Sequence, residues 1–273
     1  MSADSPSRKS RSPRGGAAAQ RFDERLVAEG LAESRTRAQA LIRAGRALVD
    51  DTPVDKPGTR VARDARVRLR GGERRYASRG GDKLAGALAD LGIAVAGRAC
   101  LDVGASTGGF TDCLLQAGAR RVVAVDVGYG QLDPRLRDDP RVTVLERTNA
   151  RTLNADDLPE PVELVTVDVS FISVRLLLPR LAQVAPGAEL LVLVKPQFEV
   201  GREQVGRGGV VRDDALRAAA VAGVRERAEA LGYAACGQAE SRLAGPKGNR
   251  EVFLWLRAAP RLAEAPSGAR LTR

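Results

Sequence analysis

The chain has 273 residues, 44% of them hydrophobic, and a formal net charge of +10 at neutral pH. It carries no histidine and three scattered cysteines, which excludes imidazole bases, Ser-His and Cys-His nucleophiles and any CxxC zinc or disulfide framework. No apolar run approaches the ~18 residues of a membrane span, and the first cations precede no apolar signal core, so the expected compartment is the reducing cytoplasm.

Charge is concentrated at the front. Residues 1–75 hold +8 of the +10, the pattern of a polyanion-binding module ahead of a near-neutral one. Residues 1–20, rich in Ser, Arg, Pro, Gly and Ala, have nothing to bury and read as a disordered basic tail. Over residues 21–75, Leu26, Val27 and Gly30 predict a short helix. Ser34 is an N-cap for a second helix, in which Ala38, Leu41 and Ile42 share a face and Gly45 ends the run. Arg35, Arg37 and Arg43 fall off that face, toward solvent. ALVDD, a Lys56-Pro57-Gly58 turn and RVRLR predict short strands. The run SRTRAQALIRAGRALVDDTPVDKPGTRV, residues 34–61, resembles the S4 RNA-binding domain. The resemblance implies a small α+β domain whose two-helix face meets RNA. Its phosphate contacts would be Arg35, Arg37 and Arg43, with Arg21, Lys56 and Arg79 also on the RNA. A solvated helix face accounts equally for any one of these arginines alone.

YASR, residues 76–79, reads as an interdomain linker. From 80 to 257 helix and strand alternate. GGDKLAGALADLG places Leu84, Leu88 and Leu91 on one helix face; RACLDVG, RRVVAVDVG, RVTVLE, VELVTVDVS and ELLVLVK are strands, and TDCLLQAG is a helix. YAACGQAES and EVFLWLR close the domain, and residues 258–273 form a C-terminal tail. Such alternation predicts an α/β fold with a largely parallel sheet, helices on both faces, and a site along the strands' C-terminal edge.

LDVGASTGGFTD, residues 101–112, runs from a strand through a glycine turn into a helix. A dinucleotide fingerprint needs G-x-G-x-x-G, and the second glycine is misplaced here. A Walker A loop needs lysine where Phe110 stands. S-adenosylmethionine, which carries no phosphate, fits better. Asp126 ends the next strand, 22 residues after Gly104, where a ribose-binding acid belongs; a helix N-cap is the alternative. The cofactor set is Asp102, Gly104, Ala105, Ser106, Thr107, Gly109, Phe110 and Asp126.

Only five of the 44 cations are lysines. Lys195 ends a hydrophobic strand, Asp168 ends the strand before it, Lys83 lies in the helix entering the domain, and Glu251 opens a late strand. The strings DVGASTGGFTD, VDVGYGQL, RTNAR, DVSFIS, VKPQFEVG and GPKGNREVFLWL resemble the TlyA family of ribosomal RNA 2′-O-methyltransferases, also called hemolysin A-like, over nearly all of residues 21–257. The catalytic domain of that family is similar to the FtsJ methyltransferases. The resemblance implies a Rossmann-like class I SAM-dependent methyltransferase domain behind the S4 domain. It also implies a catalytic tetrad of Lys83, Asp168, Lys195 and Glu251, and Asn149, Ala150 and Asp168 beside the cofactor. The substrate it implies is a cytidine of 16S rRNA, 23S rRNA or both, in the 30S subunit, the 50S subunit or both.

A ribose 2′-hydroxyl attacks poorly until its proton is drawn away. Without histidine, a lysine must act; free lysine, with a pKa of ~10.4, is charged at neutral pH, so a lysine base needs burial or a second ammonium nearby. Lys195 is assigned as base or hydroxyl-steering group. Lys83 and Asp168 set its charge state and hold the ribose, and Glu251 orients Lys83 or Lys195. A snorkelling Lys195 and a helix-capping Asp168 are the structural alternative. Asp82, beside Lys83, is expected to be solvated. Arg202, Arg207 and Arg212 lie in a glycine-rich stretch, 200–214, that is either an RNA-facing or an ordinary mobile loop. The expected protein is a monomer that needs no metal and does not associate stably with membranes. Its rivals are a non-catalytic RNA-binding assembly protein, a membrane-lytic hemolysin, and a methyltransferase of another substrate.

Overall fold

The computed structural model describes residues 19–70, 75–245 and 247–259. The expected tails, 1–20 and 258–273, lie outside the described residues over 1–18 and 260–273; Ala258 is not part of the second, because it pairs with Tyr233 in the sheet. The chain divides into two compact units, one ending at Arg74 and the other starting at Arg75.

The first unit comprises β1 (Gln20–Arg21), α1 (Phe22–Ala28), α2 (Arg35–Arg43), β2 (Ala47–Val49), β3 (Thr52–Pro53), β4 (Arg60–Val61) and β5 (Val67–Leu69). Ser34 caps α2 as expected, its Oγ accepting from Arg37 N at 3.1 Å. Ala38, Leu41 and Ile42 pack with Phe22, Leu26 and Val61 in the core. Val49 pairs with Thr52, so β2 and β3 are joined by the two-residue turn Asp50-Asp51. Both aspartates have positive φ, 45° and 66°, as a tight hairpin turn requires. One correction concerns the tail: Gln20 is not part of it, because it pairs with Val61 in the β1–β4 ladder.

The second unit comprises α3 (Arg79–Leu91), β6 (Ala99–Val103), α4 (Gly109–Gln116), β7 (Arg121–Val125), α5 (Pro134–Arg137), β8 (Val142–Leu145), β9 (Leu164–Val167), α6 (Leu178–Val184), β10 (Glu189–Val194), α7 (Pro196–Glu199), α8 (Asp214–Glu229), β11 (Tyr233–Glu240) and β12 (Val252–Ala258). The stretch read as a linker is anchored in this unit. Tyr76 is buried against Leu84, Cys113 and Leu114, and the Ser78 Oγ caps α3 by accepting from Gly80 N.

Seven strands form one sheet in the order β11-β12-β10-β9-β6-β7-β8. β10, β9, β6, β7 and β8 run parallel, while β12 lies antiparallel between β10 and β11. Alternate residues feed two cores. Leu101, Val103, Val165, Val192 and Val194 face one; Cys100, Val122, Leu164, Leu191 and Leu193 face the other. That double burial explains why the strands read as continuous apolar runs. The chain builds outward from β6 through β7 and β8, then returns to place β9 and β10 on its other side. The order therefore reverses between β6 and β9, and the crevice beyond their C-terminal ends is where such sheets bind ligands.

Candidate active site

Gly104 leaves β6 at that reversal with φ +89°, and a Cβ on it would come within 2.5 Å of the Asp168 carbonyl oxygen. Only glycine permits both the left-handed turn and this approach. Beyond it opens a cavity of about 460 Å³, within the usual range for small-ligand sites. Gly104, Ser106, Asp126, Asn149, Ala150 and Asp168 line it, all expected from the sequence. The Asp126 carboxylate is held from both sides: Oδ2 accepts from Ser106 N at 2.8 Å and Oδ1 from Gly128 N at 2.7 Å. A carboxylate fixed in this way, beside a turn that only glycine can make, fits the hydroxyls of a nucleoside-type ligand.

Five expected cofactor residues are not on the cavity wall. Asp102 is fully buried; its Oδ2 accepts from Thr111 Oγ1 at 2.7 Å and its Oδ1 from Thr166 Oγ1 at 3.3 Å. It stitches β6 to α4 and β9. Burial, opposed by these hydrogen bonds and reinforced by the Asp168 charge, pushes its carboxyl up to about 7. Phe110 turns inward and its ring lies 6.0 Å from that of Phe253. Ala105 is buried in the same core. Gly109 packs under Ser78, whose Oγ occupies the space a Cβ would need. Thr107 contributes its carbonyl, which accepts from Asp133 N at 3.2 Å.

The four charged residues form two ion pairs. Lys83 is carried inward by α3, and its Nζ donates to Glu251 Oε2 at 2.6 Å. Lys195 follows β10, and its Nζ lies 2.6 Å from Asp168 Oδ1. That second contact is ionic, since Oδ1 lies off the line of a hydrogen bond; Lys195 donates instead to Ser170 Oγ at 2.9 Å. So Glu251 engages Lys83 and not Lys195, and Asp168 is the partner of Lys195. The register brings the pairs together. Val194 pairs with Val252, so Lys195 and Glu251, the next residue on each strand, emerge at the same edge of the sheet.

Three residues here had no sequence-assigned role. Ser170 holds Lys195. Phe171 stands 92% exposed at the cavity rim with φ +68°, its ring 5.4 Å from that of Phe198. Glu199 is buried and gathers the segment behind them, accepting from Ser173 Oγ at 2.6 Å, Val174 N at 2.7 Å and Arg175 Nε at 3.2 Å. Burial raises its carboxyl. Asp82 is exposed, as expected.

In the first unit the expected RNA contacts divide. Asp23 is fully buried at the start of α1, and its Oδ2 accepts from Arg21, Arg35 and Gln39 at 3.0, 3.1 and 2.9 Å. Arg21 and Arg35 are therefore tied to a buried acid, although their side chains stay 39% and 54% exposed. Arg37, Arg43 and Lys56 are exposed. Arg79, also exposed, opens α3 in the second unit.

Both units match known families: residues 76–258 match the FtsJ-like methyltransferase model and residues 20–67 the S4 domain. A Mycobacterium tuberculosis protein named 16S/23S rRNA (cytidine-2′-O)-methyltransferase TlyA is 54% identical over 239 residues, 87% of this chain and 89% of that one. Hemolysin A of Brachyspira hyodysenteriae is 39% identical over 85% of this chain and 98% of its own. A solved Streptococcus thermophilus structure that bears a hemolysin name covers 89% of each chain at 39% identity, with a TM-score of 0.69. Among the described residues, no helix is long and apolar enough to cross a membrane.

Proposed function

Since the chain belongs to the FtsJ-like methyltransferase family, we propose that it methylates the ribose 2′-hydroxyl of a cytidine in 16S and 23S rRNA, using S-adenosylmethionine. The observation that carries this reading is the Lys195 ammonium. It is held between Asp168 Oδ1 and Ser170 Oγ, two residues of the cavity wall, at the sheet edge where Glu251 holds Lys83.

When bound, S-adenosylmethionine supplies a methyl group on a sulfonium. Asp126 takes the hydroxyls of its ribose, and Gly104 lets its amino-acid end approach the backbone. Asn149 and Ala150 border the base. Lys195, paired with a carboxylate, acts as an ammonium that donates to the target 2′-oxygen and fixes its lone pair toward the methyl. Asp168, 23% exposed beside it, accepts the hydroxyl proton as the 2′-oxygen bonds to the methyl carbon and the carbon–sulfur bond breaks, which would leave the cofactor a neutral thioether, and water then removes the proton. Lys83 and Glu251, a buried pair, brace the sheet edge from which Lys195 projects. The pairs balance in charge, so the site suits a reaction in which a cation is consumed, and no metal is required. The S4 domain brings the RNA through phosphate contacts that include Arg37, Arg43 and Lys56. The reading takes the protein to be a monomer that works in the cytoplasm on ribosomal subunits.

The test is methyl transfer from labelled cofactor to 30S subunits, 50S subunits and naked rRNA, with Lys195→Ala beside the native protein. A product whose linkage resists alkali, formed by the native protein alone, is expected. No transfer to any of these particles while the cofactor still binds would overturn the rRNA assignment and leave the fold reading standing.

A further inference from the structure

Residues 206–211 of the glycine-rich stretch form a built element. Gly206 and Val210 make an antiparallel bridge; Gly206 N donates to Val210 O at 3.2 Å, and Gly209 N to Gly206 O at 3.0 Å. Gly208 and Gly209 both have left-handed φ, 83° and 81°, so this hairpin needs glycine at its tip.

One buried side chain fastens it. Asn249 is 2% exposed. Its Oδ1 accepts from Val211 N at 3.0 Å and its Nδ2 donates to Gly209 O at 2.8 Å. Both ends of a buried amide are thus committed to the hairpin backbone, and burial without those bonds would be costly. Asn249 stands two residues before Glu251, a chain span of at most roughly 7 Å. The hairpin is therefore latched to the segment that leads through Glu251 into β12.

The latched hairpin presents cations. Arg207 and Arg212 are exposed. Lys247, also exposed, lies with its Nζ against Gly209, 3.3 Å from where a Cβ would stand. Among the described residues none of the three is in an ion pair, a trait shared with Arg202, Arg225 and Arg227 of the same unit, but of these only Arg207, Arg212 and Lys247 stand on or against the hairpin. The exposed large apolar side chains of the described residues are Val127, Tyr129, Phe171 and Leu176, none of them a residue of the hairpin. A cationic surface without apolar anchors suits a phosphodiester backbone better than a protein or a membrane.

We propose that Arg207, Arg212 and Lys247, on a hairpin latched by Asn249, form a second RNA-binding surface separate from the S4 domain. It holds the backbone phosphates of nucleotides flanking the target ribose. Asn249 is a positioning residue that acts through the hairpin. The proposal rests on the RNA-methyltransferase reading and deepens it.

The test uses the full chain with a triple variant, Arg207→Gln/Arg212→Gln/Lys247→Gln, and separately Asn249→Ala. The readouts are kcat and KM on ribosomal subunits, the salt dependence of subunit binding, cofactor affinity and Tm. The triple variant is expected to keep its cofactor affinity and Tm, to raise KM at least tenfold, and to flatten the log-log salt slope by about 2, as expected for three single-strand phosphate contacts at ~0.7 each. Asn249→Ala is expected to raise KM with all three charges present. A triple variant with native KM and salt slope overturns the surface. An Asn249→Ala protein with lowered Tm and native KM overturns the latch. If the native protein transfers no methyl group but the triple variant still binds subunits more weakly, the reaction assignment fails and the surface stands.

Discussion

The Lys83 ammonium and the Glu251 carboxylate meet at 2.6 Å although 168 residues separate them in sequence. Their side chains are only 9% and 1% exposed. The pair joins the helix that enters the second unit to the antiparallel strand inserted near the end of the sheet. It therefore reports on folding as much as on chemistry, and the two contributions are separable. Lys83→Ala leaves a buried carboxylate unpaired, which costs about 3–5 kcal/mol in comparable sites. Lys83→Met/Glu251→Leu removes both charges and fills the space. The single variant is expected to be strongly destabilised in urea unfolding, and the double variant to recover much of that loss while remaining inactive in methyl transfer. A stable Lys83→Ala protein would show that the pair does not hold the fold.

Lys195 is different because its acid partner is partly solvated, 23% exposed. Lys195→Ala is expected to lower kcat by about 10²–10⁴, the usual range for a group acting on the reacting proton or oxygen, with little loss of stability. Lys195→Arg keeps the charge and is expected to retain more activity than Lys195→Ala, whereas Asp168→Asn is expected to be as poor as Lys195→Ala. Ser170→Ala loses a hydrogen bond to a charged group and is expected to cost roughly tenfold or more in kcat. If Lys195→Arg is as inactive as Lys195→Ala while Asp168→Asn works, the steering assignment is wrong and lysine is the base.

Asp126 accepts two backbone N–H groups and faces the cavity. Asp126→Ala would remove the proposed charge-assisted contact to the cofactor ribose and is expected to weaken cofactor binding about 10- to 100-fold, the scale of a hydrogen bond to a charged group. Calorimetry with the cofactor or its demethylated product measures this directly. Phe110→Leu, by contrast, is expected to leave cofactor affinity near the native value and lower Tm, since that ring packs on Phe253 and not on the cavity. Equal binding losses in both variants would place Phe110 in the site after all.

Asp102 gives a pH signature. Its carboxyl is raised from 3.8 to about 7, first of all by burial. The folded protein then holds a proton that the unfolded chain releases above about 4, so folding is progressively less favoured as pH rises toward 7. Asp102→Asn cannot ionise and can still accept from Thr111. The Tm of the variant relative to the native protein is expected to climb between pH 5 and pH 7 and then level off. A constant difference across that range would mean that Asp102 is already ionised in the fold.

Much of the second unit was legible because β6, β7, β9 and β10 are buried on both faces and so read as unbroken apolar runs. The four charged residues stood out at element ends, and the family resemblance grouped them. Their pairing was not legible. It depends on β12 entering the sheet antiparallel beside β10, a contact about 60 residues long-range. The inward turn of Asp102 and Phe110 was hidden for a local reason, since a strand–turn–helix exposes only some of its residues to a ligand. α8 escapes periodicity because alanine makes up much of its length and its buried face is Ala220, Val221, Val224 and Ala228. Ser170, Glu199 and Asn249 take their meaning from partners 25 to 40 residues away, which no local pattern shows.

Asp23 divides the arginines of the first unit into two kinds. It is fully buried, and the hydrogen bond from Arg21, helped by those from Gln39 and Arg35, holds its carboxyl well below the usual carboxylate range. A carboxyl depressed in the fold stabilises it above the unfolded pKa and loses that contribution as pH falls below about 4. Arg21 and Arg35 are committed to this acid, while Arg37 and Arg43 are exposed and have no ion pair among the described residues. Arg37→Ala and Arg43→Ala are therefore expected to weaken RNA binding with little change in Tm, each flattening the log-log salt slope by about 0.7–0.9. Arg35→Ala is expected to lower Tm first, because it strips a partner from a buried carboxylate. Asp23→Asn should remove the acid-side loss of stability and leave Arg21 and Arg35 with Glu24 as their remaining acid partner. Binding to rRNA fragments across a salt series, with melting curves at pH 3 to 7, checks both halves. If Arg35→Ala flattens the salt slope as much as Arg37→Ala and leaves Tm unchanged, the buried acid does not hold it and Arg35 is an ordinary phosphate contact.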